Sequence, residues 1–216
     1  MYPITILDNF FEDPDYVLDF AMSQEFYSNQ NGRWPGKRTK QIWELDENLF
    51  LYVGEKLLSL FHPSTEKWSF EMQFQLIKPF SENQYDKVNR GWVHNDNDGS
   101  QFGGIIYLNK NPEPDTGTSI FSQKKGFSIQ KTEWLEQKEI LYSGKELEKT
   151  AYENAYDALH SQYEESITVD NKFNRMVLFG CDVFHGVKTF GKDQERLTLN
   201  FFCQEALGSK SPLYRV

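Results

Sequence analysis

The segment Trp68 to Ile77, WSFEMQFQLI, restricts the possible folds more than any other stretch of this 216-residue chain. Phe70, Met72, Phe74 and Leu76 fall on one side of an extended backbone and Glu71, Gln73 and Gln75 on the other, because successive strand residues point to opposite faces. A strand divided in this way has a core on one side and a polar space on the other. Arg196 to Cys203, RLTLNFFC, repeats the pattern, with Leu197, Leu199 and Phe201 on one face and Arg196, Thr198 and Asn200 on the other. A polar row inside a small barrel demands a ligand to satisfy it.

Further strands fit the same sheet-built design. Gly103 to Leu108 (GGIIYL) reads as a buried strand, and Thr118 to Phe121, Arg175 to Phe179 (RMVLF) and Tyr2 to Leu7 read as others, the last at an edge because of Pro3. Two helices precede the main sheet. The first runs from Pro14, behind an Asp13 cap, to about Phe26, with Val17, Leu18, Phe20 and Ala21 as its apolar stripe. Asp46 caps the second, in which Leu49, Val53, Leu57 and Leu60 recur on one side before Pro63 stops it. Ser28 to Gln41 reads as a loop. Between Lys124 and Asn174 the character becomes helical, with Ser143 and Glu146 as a capping box and Leu147, Ala151, Ala155 and Leu159 at intervals of four. LGSKSPLYRV reads as a tail. The expectation is a mainly β fold with flanking helices (α+β), in one domain over residues 1–216. Residues 1–66 supply a strand and bracing helices, and residues 124–174 a helical insertion.

Composition narrows the class of partner. Lys and Arg count 23 against 32 Asp and Glu, a formal charge of -9 that repels nucleic-acid backbones; Lys37, Arg38 and Lys40 are the one basic cluster. Two cysteines, Cys181 and Cys203, are too few for a secreted disulfide framework. The N-terminal MYPITILDNFF lacks a basic region followed by an apolar run, and no segment reaches the roughly 20 apolar residues of a spanning helix. A cytoplasmic protein without membrane contact is expected. Nothing in the residues fixes an oligomeric state.

The chemistry concentrates in Gly91 to Asp98, GWVHNDND, where His94 and Asp96 stand two apart and so share one face of an extended strand. His185, in FGCDVFHGV, is the candidate third ligand. Two imidazoles and one carboxylate leave exchangeable positions on a divalent ion, the arrangement that suits non-haem Fe(II) and O2. The same three residues would also hold zinc and a water. His62, before Pro63, and His160, in the insertion, read as hydrogen-bonded core or surface histidines.

Arg196 decides between the metals. It follows His185 by eleven positions, across a turn containing Gly191, and can run back to aim its guanidinium into the same pocket. A buried Arg needs an acid partner, and its planar fork matches a carboxylate. A 2-oxo diacid would place one end on the metal and the other on Arg196, with the Thr198 hydroxyl beside it.

The runs HND, IIYLN, TGTSIF and NRMVLFGCDVFHGVKTFGKDQERLTLNFF resemble the Fe(II) and 2-oxoglutarate-dependent dioxygenase superfamily, in particular its prolyl-4-hydroxylase-like branch. ILDNFFEDPDYVLDFAMSQEFY is similar to the start of its small phage and bacterial members. The likeness covers most of the chain outside roughly Ser122 to Phe173. It implies a double-stranded β-helix, or jelly roll, with iron ligands His94, Asp96 and His185. It also implies that Arg196 holds the distal carboxylate of 2-oxoglutarate, with Tyr107 and Thr198 as helpers. The implied reaction consumes O2, releases succinate and CO2, and most commonly hydroxylates a C–H bond of a peptide, amino acid or small molecule. The chain has Lys78 before Pro79, where several such enzymes have a tyrosine that reaches the co-substrate. The entrance is expected between Trp34 to Lys40 and the insertion. Two rivals use the same scaffold: a cupin-like metalloenzyme without 2-oxoglutarate, which would leave Arg196 unpartnered, and a non-catalytic jelly-roll binding module, which would not require a full ligand set.

Overall fold

The computed structural model describes residues 4–60, 66–96, 99–125 and 132–207. Pro3, His62, Pro63, Asp98 and the tail beyond Leu207 lie outside these residues.

Ten strands and five helices follow in the order β1 (Thr5–Leu7), α1 (Pro14–Met22), β2 (Tyr27–Ser28), β3 (Lys37–Arg38), α2 (Ile42–Leu45), α3 (Glu47–Ser59), β4 (Lys67–Ile77), β5 (Phe102–Tyr107), β6 (Thr118–Gln123), α4 (Thr132–Tyr142), α5 (Lys149–His160), β7 (Tyr163–Val169), β8 (Met176–Gly180), β9 (Phe184–Val187) and β10 (Arg196–Leu207). They build a jelly roll from two antiparallel sheets. The larger has seven strands in the order β1, β8, β5, β10, β4, β3, β2, and the smaller three in the order β7, β6, β9.

The two alternating segments lie side by side at the centre of the larger sheet. β10 pairs with β4 so that Thr198 faces Gln75 and Asn200 faces Gln73, and with β5 so that Thr198 faces Tyr107. Opposed residues project to the same face, so the polar halves of both strands look inward together. Their apolar halves look outward, where Phe70, Met72, Phe74, Leu197, Leu199 and Phe201 pack with Val17 and Ala21 of α1 and with Val53 and Leu57 of α3. Burying each such side chain contributes roughly 2 kcal/mol. Tyr107, Ile120, Val169, Val177 and Phe179 form a second cluster between the sheets.

The helices differ from expectation in ways with local causes. α1 stops at Met22 rather than near Phe26, because the Ser23 hydroxyl (2.7 Å) and the Gln24 amide (3.1 Å) both donate to the Phe20 carbonyl that another turn would need. Residues 28–41 are not wholly loop, since Lys37 and Arg38 pair with Leu76 and Gln75 of β4. Ser143 is not an N-cap. α4 extends to Tyr142 and the chain turns at Gly144, whose φ is +72°; α5 starts at Lys149, with Glu148 accepting from the Thr150 and Ala151 amides. The segment 124–174 also contains more than inserted helices, because Tyr163–Val169 is β7 and pairs with β6 in the smaller sheet.

α4 and α5 bury a third cluster of Leu141, Tyr142, Tyr152, Tyr156 and Leu159 against Trp92, Val93 and Phe190. Trp92 packs against Trp134, Tyr152 and Tyr156, with ring centroids 5.2 to 6.1 Å apart. The inserted helices therefore pack directly on the segment that carries His94.

Candidate metal centre

His185 lies within β9, opposite Ile120 of β6. The chain from Gly91 to His94 runs antiparallel alongside β9. Gly91 N–H donates to Val187 O (2.8 Å), His94 N–H to His185 O (3.0 Å) and His185 N–H to His94 O (2.8 Å). A side chain at Gly91 would collide with the backbone of Val187, so this close approach requires glycine. The HxD stretch is thus not the strand it was expected to be: His94 makes one isolated bridge, and Asp96 is held by its N–H donating to Cys181 O (3.0 Å). The three side chains nevertheless meet. His94 Nε2 lies 3.6 Å from Asp96 Oδ1, and His185 Nε2 lies 3.3 Å from Asp96 Oδ2. One ligand atom from each residue falls within 4.8 Å of the other two.

Their second bonds set their chemistry. His94 Nδ1 is 2.8 Å from Trp92 O and His185 Nδ1 is 3.0 Å from Val183 O. A carbonyl only accepts, so each Nδ1 carries a hydrogen, and Nε2 is the ring atom directed to the centre in both histidines. Burial, reinforced by His185, pushes the His94 imidazole down to about 4, although part of its ring reaches solvent. His94 is therefore neutral at pH 7, the state a ligand needs. A cation at their centre would be met by one imidazole nitrogen from each histidine and by the Asp96 carboxylate.

Arg196, at the start of β10, is 4% exposed. Its Nε donates to Thr116 O (3.0 Å), its guanidinium lies 5.3 Å from the centroid of the Tyr107 ring, and its Nη2 has no partner among the described residues. Burial depresses its pKa. The Tyr107 hydroxyl, itself raised by burial, is 2.7 Å from Thr118 Oγ1. Two residues beyond Thr118 on β6 is Ile120, the partner of His185. Arg196 and the three convergent side chains therefore face the same interior between the sheets.

Thr198 is fully buried, but its hydroxyl donates to Asn200 Oδ1 (2.8 Å), and Asn200 in turn bonds Gln75. Lys78 points away: it is exposed and pairs with Glu195 at 3.2 Å. His160 is a core residue that stacks on Tyr156 (3.7 Å between centroids), its Nε2 accepting from Val93 N–H (3.4 Å). Two cations in reach of the centre escape a reading by residue pattern, Arg38 on β3 and Lys138 on α4; the Asp96 charge acts on both. Arg38 stood out only as part of the basic cluster, and Lys138 is indistinguishable in sequence from the other charges of the insertion.

Residues 1–203 match the family described as "Family of unknown function (DUF6445)". The chain belongs to that family. No curated protein matches the sequence. Among solved structures, HygX from Streptomyces hygroscopicus with nickel and 2-oxoglutarate bound is similar at a TM-score of 0.58 and 10% identity, covering 93% of this chain and 82% of that one. A prolyl hydroxylase from Trichoplax adhaerens, in complex with a hypoxia inducible factor peptide, is similar at 0.56 and 14%, with the same coverage of 93% and 82%. The non-haem α-ketoglutarate-dependent epimerase SnoN from nogalamycin biosynthesis is similar at 0.53 and 10%, covering 93% and 76%. The family member described here thus has the jelly-roll fold of these enzymes. No helix among its described residues is long and apolar enough to cross a membrane.

Proposed function

We propose that the chain is a single-domain Fe(II)- and 2-oxoglutarate-dependent oxygenase of the prolyl-4-hydroxylase-like type, hydroxylating a C–H bond of a peptide, amino acid or small molecule. One observation carries the reading. Three side chains of metal-ligand type converge in an interior that also holds a buried guanidinium whose Nη2 has no partner among the described residues. The donor set fits a divalent iron, and the free Nη2 edge of the guanidinium fits the far carboxylate of a diacid that also reaches the metal.

In this reading His94, Asp96 and His185 hold the iron, and Arg196 holds the co-substrate. Bound there, iron and 2-oxoglutarate would supply the oxidising power for attack on a C–H bond, with succinate and CO2 released. The protein's own contributions are positional. The Nδ1 bonds to Trp92 O and Val183 O fix both imidazole planes. Tyr107 supports the guanidinium from below and holds its hydroxyl on Thr118. Thr198 assists only if its hydroxyl leaves Asn200. Phe179, its ring 4.3 Å from that of His185, and Ile120 would keep water from the His185 side of a bound metal. Cys181 and Cys203 are buried and form no disulfide among the described residues, which fits a reducing, cytoplasmic setting.

The test is an anaerobic titration of the protein with Fe(II) and 2-oxoglutarate, followed by exposure to O2. A visible metal-to-ligand charge-transfer band and subsequent succinate are expected. Iron binding without that band would support a metalloenzyme that does not use 2-oxoglutarate, and no iron binding would support a binding module.

A further inference from the structure

We propose that Arg38 and Lys138 form a cationic clamp at the mouth of the metal site, selecting a primary substrate that carries a carboxylate or phosphate group; this rests on the oxygenase reading above.

The clamp begins with strand register. Arg38 faces Gln75, Gln75 faces Thr198, and Thr198 faces Tyr107. These four residues form one row across β3, β4, β10 and β5 and project to the same face, so Arg38 extends inward on the polar side of the sheet. Its guanidinium lies 4.5 Å from the centroid of the Trp34 ring, and its buried Nε has no partner among the described residues. Stacking on an aromatic face leaves the planar edge of an arginine available to an oxyanion.

Lys138 approaches from the insertion. It is half-buried on α4 and makes no ion pair among the described residues. The loop that leads into β3 touches α4 beside it: Gly32, with φ of +64°, lies against the Glu139 backbone so closely that a side chain there would clash. The carboxylates acting on the pair are Asp96 on both, Glu71 on Arg38 and Glu139 on Lys138, and none is in ion-pair contact with either cation. Burial lowers Arg38 to about 10, which leaves it charged at pH 7, and lowers Lys138 in the same direction.

Charge balance then indicates the missing partner. With iron and 2-oxoglutarate in place, the two positive charges of Fe(II) and the one of Arg196 are cancelled by Asp96 and the two carboxylates of the co-substrate. Arg38 and Lys138 then have Glu71 and Glu139 as their remaining carboxylates, neither in ion-pair contact with them among the described residues, in a partly desolvated space. An anionic substrate would give them a direct partner and at the same time be held beside the iron.

Paramagnetic NMR on the anaerobic Fe(II) and 2-oxoglutarate complex tests this, with methylphosphonate and carbon-13-labelled acetate as anionic probes and trimethyl phosphate as the uncharged control. Strong line broadening of one or both anions is expected, with little for the control; whichever anion broadens more identifies the preferred oxyanion. In Arg38→Gln with Lys138→Gln the broadening should correspond to binding weakened about tenfold or more, since charge-assisted bonds are lost, while the charge-transfer band persists. Equal broadening in parent and variant, or of anion and control, overturns the proposal and leaves the oxygenase reading intact. Failure of the parent to develop the charge-transfer band overturns both.

Discussion

His94 and His185 are each other's backbone partners: each donates its N–H to the other's carbonyl, at 3.0 and 2.8 Å, and their rings stand 4.4 Å apart. Their side chains are therefore brought together by main-chain bonds that no substitution of the imidazole removes. His94→Ala and His185→Ala should fold with unchanged circular dichroism yet bind Fe(II) more weakly than the ten- to hundredfold loss that removal of a mere supporting partner causes. Isothermal titration under anaerobic conditions measures this. Affinity within about threefold of the parent in both variants would remove these residues from the ligand set.

Arg196 makes opposite predictions for stability and for binding. Its charge is buried and one nitrogen has no partner among the described residues, so replacing it with methionine removes a desolvation cost along with the Thr116 bond. Arg196→Met should thus melt within a few degrees of the parent, or above it, while losing the 2-oxoglutarate-dependent charge-transfer band. Arg196→Lys keeps the charge but not the fork, and should need about ten times more 2-oxoglutarate. A normal 2-oxoglutarate titration in Arg196→Met would place the co-substrate elsewhere.

The central strands were legible in the sequence because they follow a two-residue period, and His94 and Asp96 because they stand two residues apart; His185 lies far along the chain, and no spacing ties it to them. The two-residue alternation of Trp68–Ile77 and Arg196–Cys203 gives the two central strands and the inward face of Arg196, Thr198 and Asn200. The positions of His94, Asp96 and His185 fit the pattern expected of convergent ligands. β7 was hidden because Glu164, Glu165, Ser166 and Thr168 are exposed and leave no alternating apolar face. α4 was hidden because its apolar residues are scattered around the helix instead of forming a stripe. Arg38 and Lys138 could not be placed, since each gains its meaning from contacts between elements about a hundred residues apart.

Glu113 steadies the turn that delivers Arg196. Its carboxylate accepts from the N–H groups of Lys192 (2.9 Å), Asp193 (2.9 Å) and Gln194 (2.6 Å), while Gly191, at φ of +90°, packs against it. Glu113→Ala leaves three solvent-accessible donors and frees the turn. A loss of about 1 kcal/mol in unfolding free energy is expected. The half-saturating 2-oxoglutarate concentration should rise several-fold, with Fe(II) affinity unchanged. An equal loss of Fe(II) affinity would show that the turn supports the whole interior and not Arg196 in particular.

Metal-free protein should lose stability on mild acidification because of its histidines. His160 is pushed down to about 3, first by burial and then by the Arg90 charge, and His94 to about 4; in the unfolded chain both return to about 6.5. Below that value the unfolded state binds protons that the folded state does not, so stability present above pH 6.5 falls as the pH drops toward the folded values. Each histidine adds a slope of at most about 1.4 kcal/mol per pH unit, less for His94 because its ring is partly solvated. Asp8 is lowered by Arg175 and Lys172 and loses its contribution only below the ordinary carboxylate range, outside this window. Urea midpoints between pH 7 and 4.5, with a chelator present, should therefore decline. In His160→Gln, where an amide oxygen can still accept from Val93 N–H, the decline should be roughly halved or less. An identical slope in parent and variant would mean that His160 titrates normally and that the aromatic cluster around Trp92 opens to water.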